Sequence, residues 1–525
     1  MAKPLSLAGS GRWYGNDGSW TGFSVQVGTP PQTFEVFPSF QSQNVWLPID
    51  EECLRIQADA GACGSSRGAA PFQQSPSPGF QPNMSSSWQA INLFELGLEK
   101  VRGITGNGFV GFDNVQVGNI SLDKFPVTAY ASPGFWVGQL GLLPLSINYS
   151  TTVNSPSFLV ALRDGGHIPS VAYGYQAGSP YRGTKVPASL VLGGYDGSRA
   201  SKPLTVKINT DMSRALTVSI HDIVATGTLN GTLSLVNSER ILAPLDSSIP
   251  ELWLPKSVCD RFESVFGLEY HEASGRYLLT DAKRDQLRSM NPIVTMTIGS
   301  DPSISGNSTI IQLPYAAFDL QAGFPIFVNE TNYFPIRRAD NESQYAIGRV
   351  FLQEAYIGVD FESGTFNVSA ARWDELDPEI ITILSEESKA TAEKTGDLPS
   401  GAIAGIVVGC VVGIALVIAC AWLMVRKRKR KNIIQHDAVE TGANEKIRYE
   451  MQPPSELESN TLKISELPGK QGDSELYESR AVPELGSRDC IYEMSAGPVP
   501  GLPAKYDEGA DQNEADERKQ ERRDQ

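Results

Sequence analysis

Side chains able to do chemistry are sparse along this 525-residue sequence. His167, His221 and His271 are the histidines before residue 385, and their spacing neither builds a metal site nor pairs one of them with a nucleophile. The sequence has no His-Glu-x-x-His helix motif, and its Gly-x-Ser-x-Gly match, Gly64-Ser65-Ser66-Arg67-Gly68, lies in a Gly-, Ala- and Ser-rich stretch rather than at the strand-to-helix turn of a nucleophile elbow. It also lacks a phosphate loop, and its Gly-x-Gly-x-x-Gly match, Gly106 to Gly111, opens no helical pattern and so is not a dinucleotide fingerprint. Zinc, serine-nucleophile and nucleotide chemistries therefore find no support, and no cofactor or metal is expected. A formal net charge of -16, from 44 Lys plus Arg against 60 Asp plus Glu, argues against nucleic acid as a partner. Of six cysteines, Cys53 and Cys63 lie close together in a Gly-, Ala- and Ser-rich stretch that reads as a loop. They can pair in an oxidising compartment. A bridge closing so short a loop adds roughly 2–3 kcal/mol. Cys259 has no evident partner and reads as a small buried thiol.

A series of short blocks carries more information. Gly28-Thr29-Pro30-Pro31-Gln32 is followed by Asn44-Val45-Trp46-Leu47-Pro48, then by Gly138-Gln139-Leu140-Gly141-Leu142 and Leu192-Gly193-Gly194-Tyr195-Asp196. Asp246-Ser247-Ser248 precedes Trp253-Leu254-Pro255. The series closes on Ile347-Gly348-Arg349-Val350-Phe351-Leu352 and Tyr356-Ile357-Gly358-Val359-Asp360. In order and spacing, residues 20 to 370 resemble the pepsin-like aspartic proteases, peptidase family A1. The opening, with Trp13, Gly15, Asn16, Asp17, Gly18, Ser19 and Trp20, is similar to the membrane-anchored fungal branch of that family.

The resemblance implies an all-β, bilobal fold in which each lobe supplies one aspartate from an Asp-Thr/Ser-Gly loop. One carboxylate activates water while the other protonates the scissile carbonyl, and the two share a proton. Counting back from Trp46 places the first loop at Ser39-Phe40-Gln41, with Ser39 at the aspartate position and Gln41 at the glycine position. The second loop keeps Asp246 but has Ser248 for its glycine. A serine hydroxyl does not ionise near neutral pH, so the proton-sharing pair is expected to be missing. Its loss costs at least roughly 10²–10⁴-fold in rate. Side chains at 41 and 248 are expected to crowd the meeting of the loops, and to be strained wherever the backbone needs a positive φ. The family's flap tyrosine is also missing: the count lands near Val101, and no Tyr lies between Trp88 and Asp113. The nearest acids, Glu35 and Asp50, have no Gly two residues on.

The elements that must position these loops are short strands. Phe23-Ser24-Val25-Gln26-Val27 and Leu204-Thr205-Val206-Lys207-Ile208 alternate apolar and polar residues, the period of a half-buried strand. Residues 157–164 and 256–266 are the better helical candidates. The expected organisation is an N-terminal lobe over 1–190 and a C-terminal lobe over 191–385, then a polar stalk over 386–401. The run 402–425 has 24 residues without a charge and is expected to cross a bilayer as one helix. Six basic residues, Arg426 to Lys431, put its C-terminal side in the cytosol. Residues 426–525 form an acidic tail too poor in large apolar residues to bury a core, and expected to be disordered. Short Ser-Glu-Leu repeats in the tail suggest docking of cytosolic proteins. Gly401, Gly405, Gly409 and Gly413 recur every fourth position, a pattern that lets two membrane helices approach as a homodimer.

Glycosylation sequons open at Asn83, Asn119, Asn148, Asn230, Asn307, Asn329, Asn341 and Asn367, all before the apolar run. They agree with an ectodomain outside the plasma membrane or another secretory-pathway membrane, single-pass and type I. The first ten residues contain no apolar run of signal-peptide length, so an upstream segment is expected. The sequence thus reads as a surface receptor or scaffold whose cleft binds an extended peptide or wall component without cleaving it. The alternative is an anchored aspartic endopeptidase with residual activity through Asp246.

Overall fold

The alternating segment Phe23–Val27 is a strand whose Phe23, Val25 and Val27 are buried while Ser24 faces outward. Repetition of that pattern makes the chain mostly β. The computed structural model describes residues 2–385, except 57–58, 151, 184, 238–239, 304–305 and 374–376, together with 413–427.

In the N-terminal half, a seven-stranded sheet runs in the order Phe23–Val27, Gln32–Ser39, Gly138–Gly141, Val45–Pro48, Ile120–Tyr130, Asn107–Val117 and Gln89–Glu95. The last two strands form a long hairpin whose tip, 96–106, includes the short turn Lys100–Arg102. The C-terminal half has a sheet built on Thr217–Thr228 and a three-stranded sheet ordered Ile336–Ala339, Leu252–Pro255 and Ala346–Ile347. A six-stranded sheet is shared by both halves. It takes Leu5–Ala8, Ala172–Gln176 and Ser189–Leu192 from one, and Leu204–Lys207, Ala355–Asp360 and Thr365–Ala370 from the other. One continuous apolar core, with members from Leu7 to Val368, lies beneath these sheets.

The helices expected near 157–164 and 256–266 are present as Phe158–Asp164 and Lys256–Phe266. The cysteine-bearing stretch corrects the reading as a loop. Cys53 lies in the helix Asp50–Ile56 and Cys63 in the helix Ala60–Ser66, joined by a disulfide with Cα atoms 5.6 Å apart. Arg67, fully buried after the second helix, binds Glu52 at 3.0 Å and the carbonyl of Trp136 at 3.0 Å, which ties the pair to the segment leading into the strand Gly138–Gly141. Cys259 is buried as expected, and burial pushes its thiol up to about 12.

The stalk, the first part of the apolar run with Gly401, Gly405 and Gly409, and the tail from 428 onward lie outside the described residues. Residues 413–427, which include Gly413, are helical with exposed side chains. Among the described residues no helix is long and apolar enough to cross a membrane. Seven of the eight sequon asparagines are exposed; Asn367 is half-buried and accepts a hydrogen bond from Thr205 at 2.7 Å.

Candidate functional site

Two loops of one design meet at the centre of the domain. The strand Gln32–Ser39 leaves its sheet, loops through 40–44 and returns as Val45–Pro48, with Gly138–Gly141 running parallel to the first and antiparallel to the second. In the other half, Ile241–Pro244 leads into a loop through 245–251 and returns as Leu252–Pro255, with Ala346–Ile347 in the matching place. Corresponding residues are 207 apart, as Phe40 and Ser247 are. The same offset relates Ser39 to Asp246, Gln41 to Ser248, Trp46 to Trp253 and Gly141 to Gly348. Both glycines are required by close approach. A Cβ on Gly141 would stand 2.6 Å from the backbone of 42–44, and one on Gly348 would stand 2.3 Å from the Glu251 carbonyl.

The structure therefore brings together the two positions that the sequence singled out. Ser39 is fully buried, and its Oγ lies 2.9 Å from Ser248 Oγ across the junction. It also accepts the N–H groups of Ser42 at 3.2 Å and Gln41 at 3.4 Å. The Phe40 N–H donates to Ser247 Oγ at 3.1 Å, a bond that Phe40, lacking a hydroxyl, cannot return. Ser248 thus enters the junction as expected, whereas the half-buried Gln41 side chain lines a cavity beside it. Neither residue has a positive φ, which corrects the expectation of backbone strain there. Glu35 interacts with Ser10 and Arg12, and Asp50 opens the helix Asp50–Ile56, so neither acid joins Asp246.

Asp246 is also fully buried. Its Oδ1 accepts the Ser248 N–H at 2.9 Å, and its Oδ2 lies 3.3 Å from Arg102 Nη1. Arg102 comes from the hairpin tip, where a tyrosine was sought, and contacts Glu99 on the same turn. Its Nε and Nη2 donate to the carbonyls of Gln344 at 3.0 Å and Tyr345 at 3.3 Å. Glu99 faces Asp246 as well. Burial first, and then the charge on Asp246, hold its carboxyl well above the usual range. A second buried cation, Arg349, supports the loop from below. Its Nη1 donates to the carbonyls of Ser247 and Ser248 at 3.0 Å each, and its Nη2 binds Asp17 at 2.9 Å. Its guanidinium lies over the rings of Trp20 and Phe37.

The profile of eukaryotic aspartyl proteases matches residues 22–372 of this sequence. The chain belongs to that family. Barrierpepsin of Saccharomyces cerevisiae is 22% identical over 399 residues, covering 70% of this chain and 63% of its own. Pregnancy-associated glycoprotein 1 of Sus scrofa is 27% identical over 182 residues, 33% of this chain and 40% of its own. Aspartic proteinase 3 of S. cerevisiae is 22% identical over 331 residues, 59% and 54% of the two chains. The chain thus spans less than two thirds of the length of each of these relatives.

Within this aspartyl protease fold, the sequence reading found Ser39, Gln41, Asp246 and Ser248 but missed Glu99, Arg102, Arg349 and Asp17. Two signals were available. Arg349 is a lone cation in the apolar block Ile347–Leu352, and a buried cation demands a partner. Glu99 and Arg102 stand three apart at the place where a tyrosine was counted. Among the described residues no cluster of His, Cys, Asp or Glu is arranged to hold a metal.

Proposed function

We propose that this aspartyl protease domain binds an extended peptide or wall component in its cleft and does not cleave it, serving as a surface receptor or scaffold. The observation that carries the reading is the junction of the two loops. One side offers the Asp246 carboxylate and the other the Ser39 hydroxyl, hydrogen-bonded to Ser248 at 2.9 Å. Peptide hydrolysis by this fold needs one group to take a proton from water and another to give one to the carbonyl. Ser39 does neither near neutral pH, and the free oxygen of Asp246 is paired with Arg102.

The setting proposed for this domain is a single-pass membrane. Support comes from the uncharged run 402–425, the basic cluster after it and the one-sided, mostly exposed sequons. On this reading the eight asparagines carry glycans outside the cell, the glycine series allows helix pairing, and the acidic tail recruits cytosolic proteins. The alternative, an anchored aspartic endopeptidase using Asp246, has in its favour the second carboxyl that Glu99 brings to Asp246. One experiment separates the two. Purified ectodomain is incubated with a peptide library between about pH 3 and 7, the range in which two carboxyls can share a proton, and scored for both capture and cleavage. Capture without cleavage is expected. Cleavage that vanishes in Asp246→Ala would establish the endopeptidase.

A further inference from the structure

We infer that the hairpin tip 96–106 is a built-in occupant of the cleft, a latch that seats Arg102 on Asp246 and must swing out before any ligand enters. Arg102 spends its donors on Asp246, Glu99 and the carbonyls of Gln344 and Tyr345, with its side chain 5% exposed. Gln344 returns a bond from its amide nitrogen to the Val101 carbonyl at 2.9 Å. The hairpin of the N-terminal half is thereby pinned to the rim of the C-terminal half directly above the retained carboxylate. On its apolar side the tip rests on Trp46, against which Leu96, Leu98 and Ile104 cluster. Beside it is a cavity of about 510 Å³ reaching Gln41, Lys100 and Arg214. An extended ligand crossing the floor between residues 39 and 248 would have to take the space that Arg102 fills.

The charges give the latch a pH dependence. Two acids, Glu99 and Asp246, are buried around one guanidinium, so the seated cluster is neutral when one acid keeps a proton. The other charged groups nearby are already paired or bound. Lys100 binds Glu95 at 2.8 Å. Arg214, across the cavity beside Asp211, donates to the carbonyls of Leu242, Glu342 and Ser343. Seated, Glu99 holds its proton more tightly than a glutamate in water, whose pKa is about 4.3. Closing therefore takes up a proton. Acid favours the seated form, and rising pH through the raised value favours release, by roughly tenfold per pH unit for one proton.

This inference goes beyond the binding reading and does not depend on whether the cleft cleaves or only holds its ligand. Amide hydrogen exchange of the ectodomain from pH 5 to 8, corrected for intrinsic rates, tests it without a ligand. In the unmodified protein the opening constant of amides in 96–106 is expected to rise with pH, by up to about tenfold per unit. In Glu99→Gln, which copies the protonated acid, it should stay low and flat. In Arg102→Gln those amides should exchange at least tenfold faster throughout, while Ala172–Gln176 and Ala355–Asp360 stay protected. A wild-type slope equal to that of Glu99→Gln, or unchanged protection in a folded Arg102→Gln, would overturn the latch. If Arg102→Gln does not fold, the wild-type and Glu99→Gln slopes decide alone.

Discussion

The loop carrying Asp246 and the loop carrying Ser39 have the same backbone course but are held by different chemistry. Beneath the Asp246 loop, Arg349 gathers two carbonyls and ties them to Asp17. At the matching place beneath the Ser39 loop, 349 − 207 = 142, stands Leu142, fully buried in the main core. One loop returns no hydroxyl to the other, because Phe40 faces Ser247. The acid and half of the mutual grip are absent on one side and the neighbouring glycine on both, yet the strand register and the close contacts of Gly141 and Gly348 are the same in the two halves. The fold is therefore set by sheet pairing and by Gly141 and Gly348, and these tolerate changes in the groups that catalysis needs.

The comparison breaks most severely at Arg349. Arg349→Leu gives the second loop the support the first one has, but leaves two carbonyls and Asp17 without their cation. Breaking such a buried arrangement costs about 3–5 kcal/mol, and denaturant unfolding of the aspartyl protease domain should show a loss of that size. A loss below about 1 kcal/mol would mean that sheet register alone holds the loop. The helices that follow the two loops differ in a similar way. Cys53 is tied to Cys63, while its counterpart helix Lys256–Phe266 carries the free thiol Cys259. Replacing Cys53 and Cys63 together by serine should cost roughly 2–3 kcal/mol, and a non-reduced digest should contain the linked peptides. Cys259→Ala should cost about 1 kcal/mol, the usual loss for one small buried group. Equal losses for the two changes would remove the distinction.

What the sequence made legible were features fixed by local pattern and fixed spacing. Trp46 stands seven residues after the position that matters, so counting back found Ser39, and the block Asp246-Ser247-Ser248 before Trp253 showed Asp246 directly. Period-two alternation found the strand Phe23–Val27, and proximity alone paired Cys53 with Cys63. The helices around those cysteines were not legible. Ala60–Ser66 contains two glycines and two serines, poor helix formers, and is held by the disulfide and by Arg67. The Glu99, Arg102 and Arg349 contacts were hidden for another reason. Arg102 meets Asp246 across 144 residues of chain, and Arg349 meets Asp17 across 332. No periodicity encodes a pairing between such distant segments, and the hairpin tip reads only as a place without the expected tyrosine.

The smallest expected effect is the most informative: Ser39→Asp should restore no cleavage at all. If the first loop lacked nothing but its acid, this one change would recover the factor of roughly 10²–10⁴ that a positioned proton-transfer partner contributes. The new carboxylate would even find donors, since the N–H groups of Gln41 and Ser42 already point at Ser39 Oγ. Two features of the other loop oppose it. Ser248 Oγ occupies the contact through which two carboxyls would share a proton. Arg102 holds the oxygen of Asp246 that would have to face the attacking water, so a third buried acid would join Glu99 and Asp246 around a single guanidinium. Adding Ser248→Gly and Gln41→Gly clears the junction, and adding Arg102→Gln frees Asp246. Binding of a statine-type peptide, which rewards transition-state geometry, should therefore rise from the single variant to the combined one, measured by calorimetry at pH 4 to 5. Strong cleavage by Ser39→Asp alone would instead show that the second loop, with its serine and its arginine, never stood in the way, and that the two sides of this junction differ by one carboxylate only.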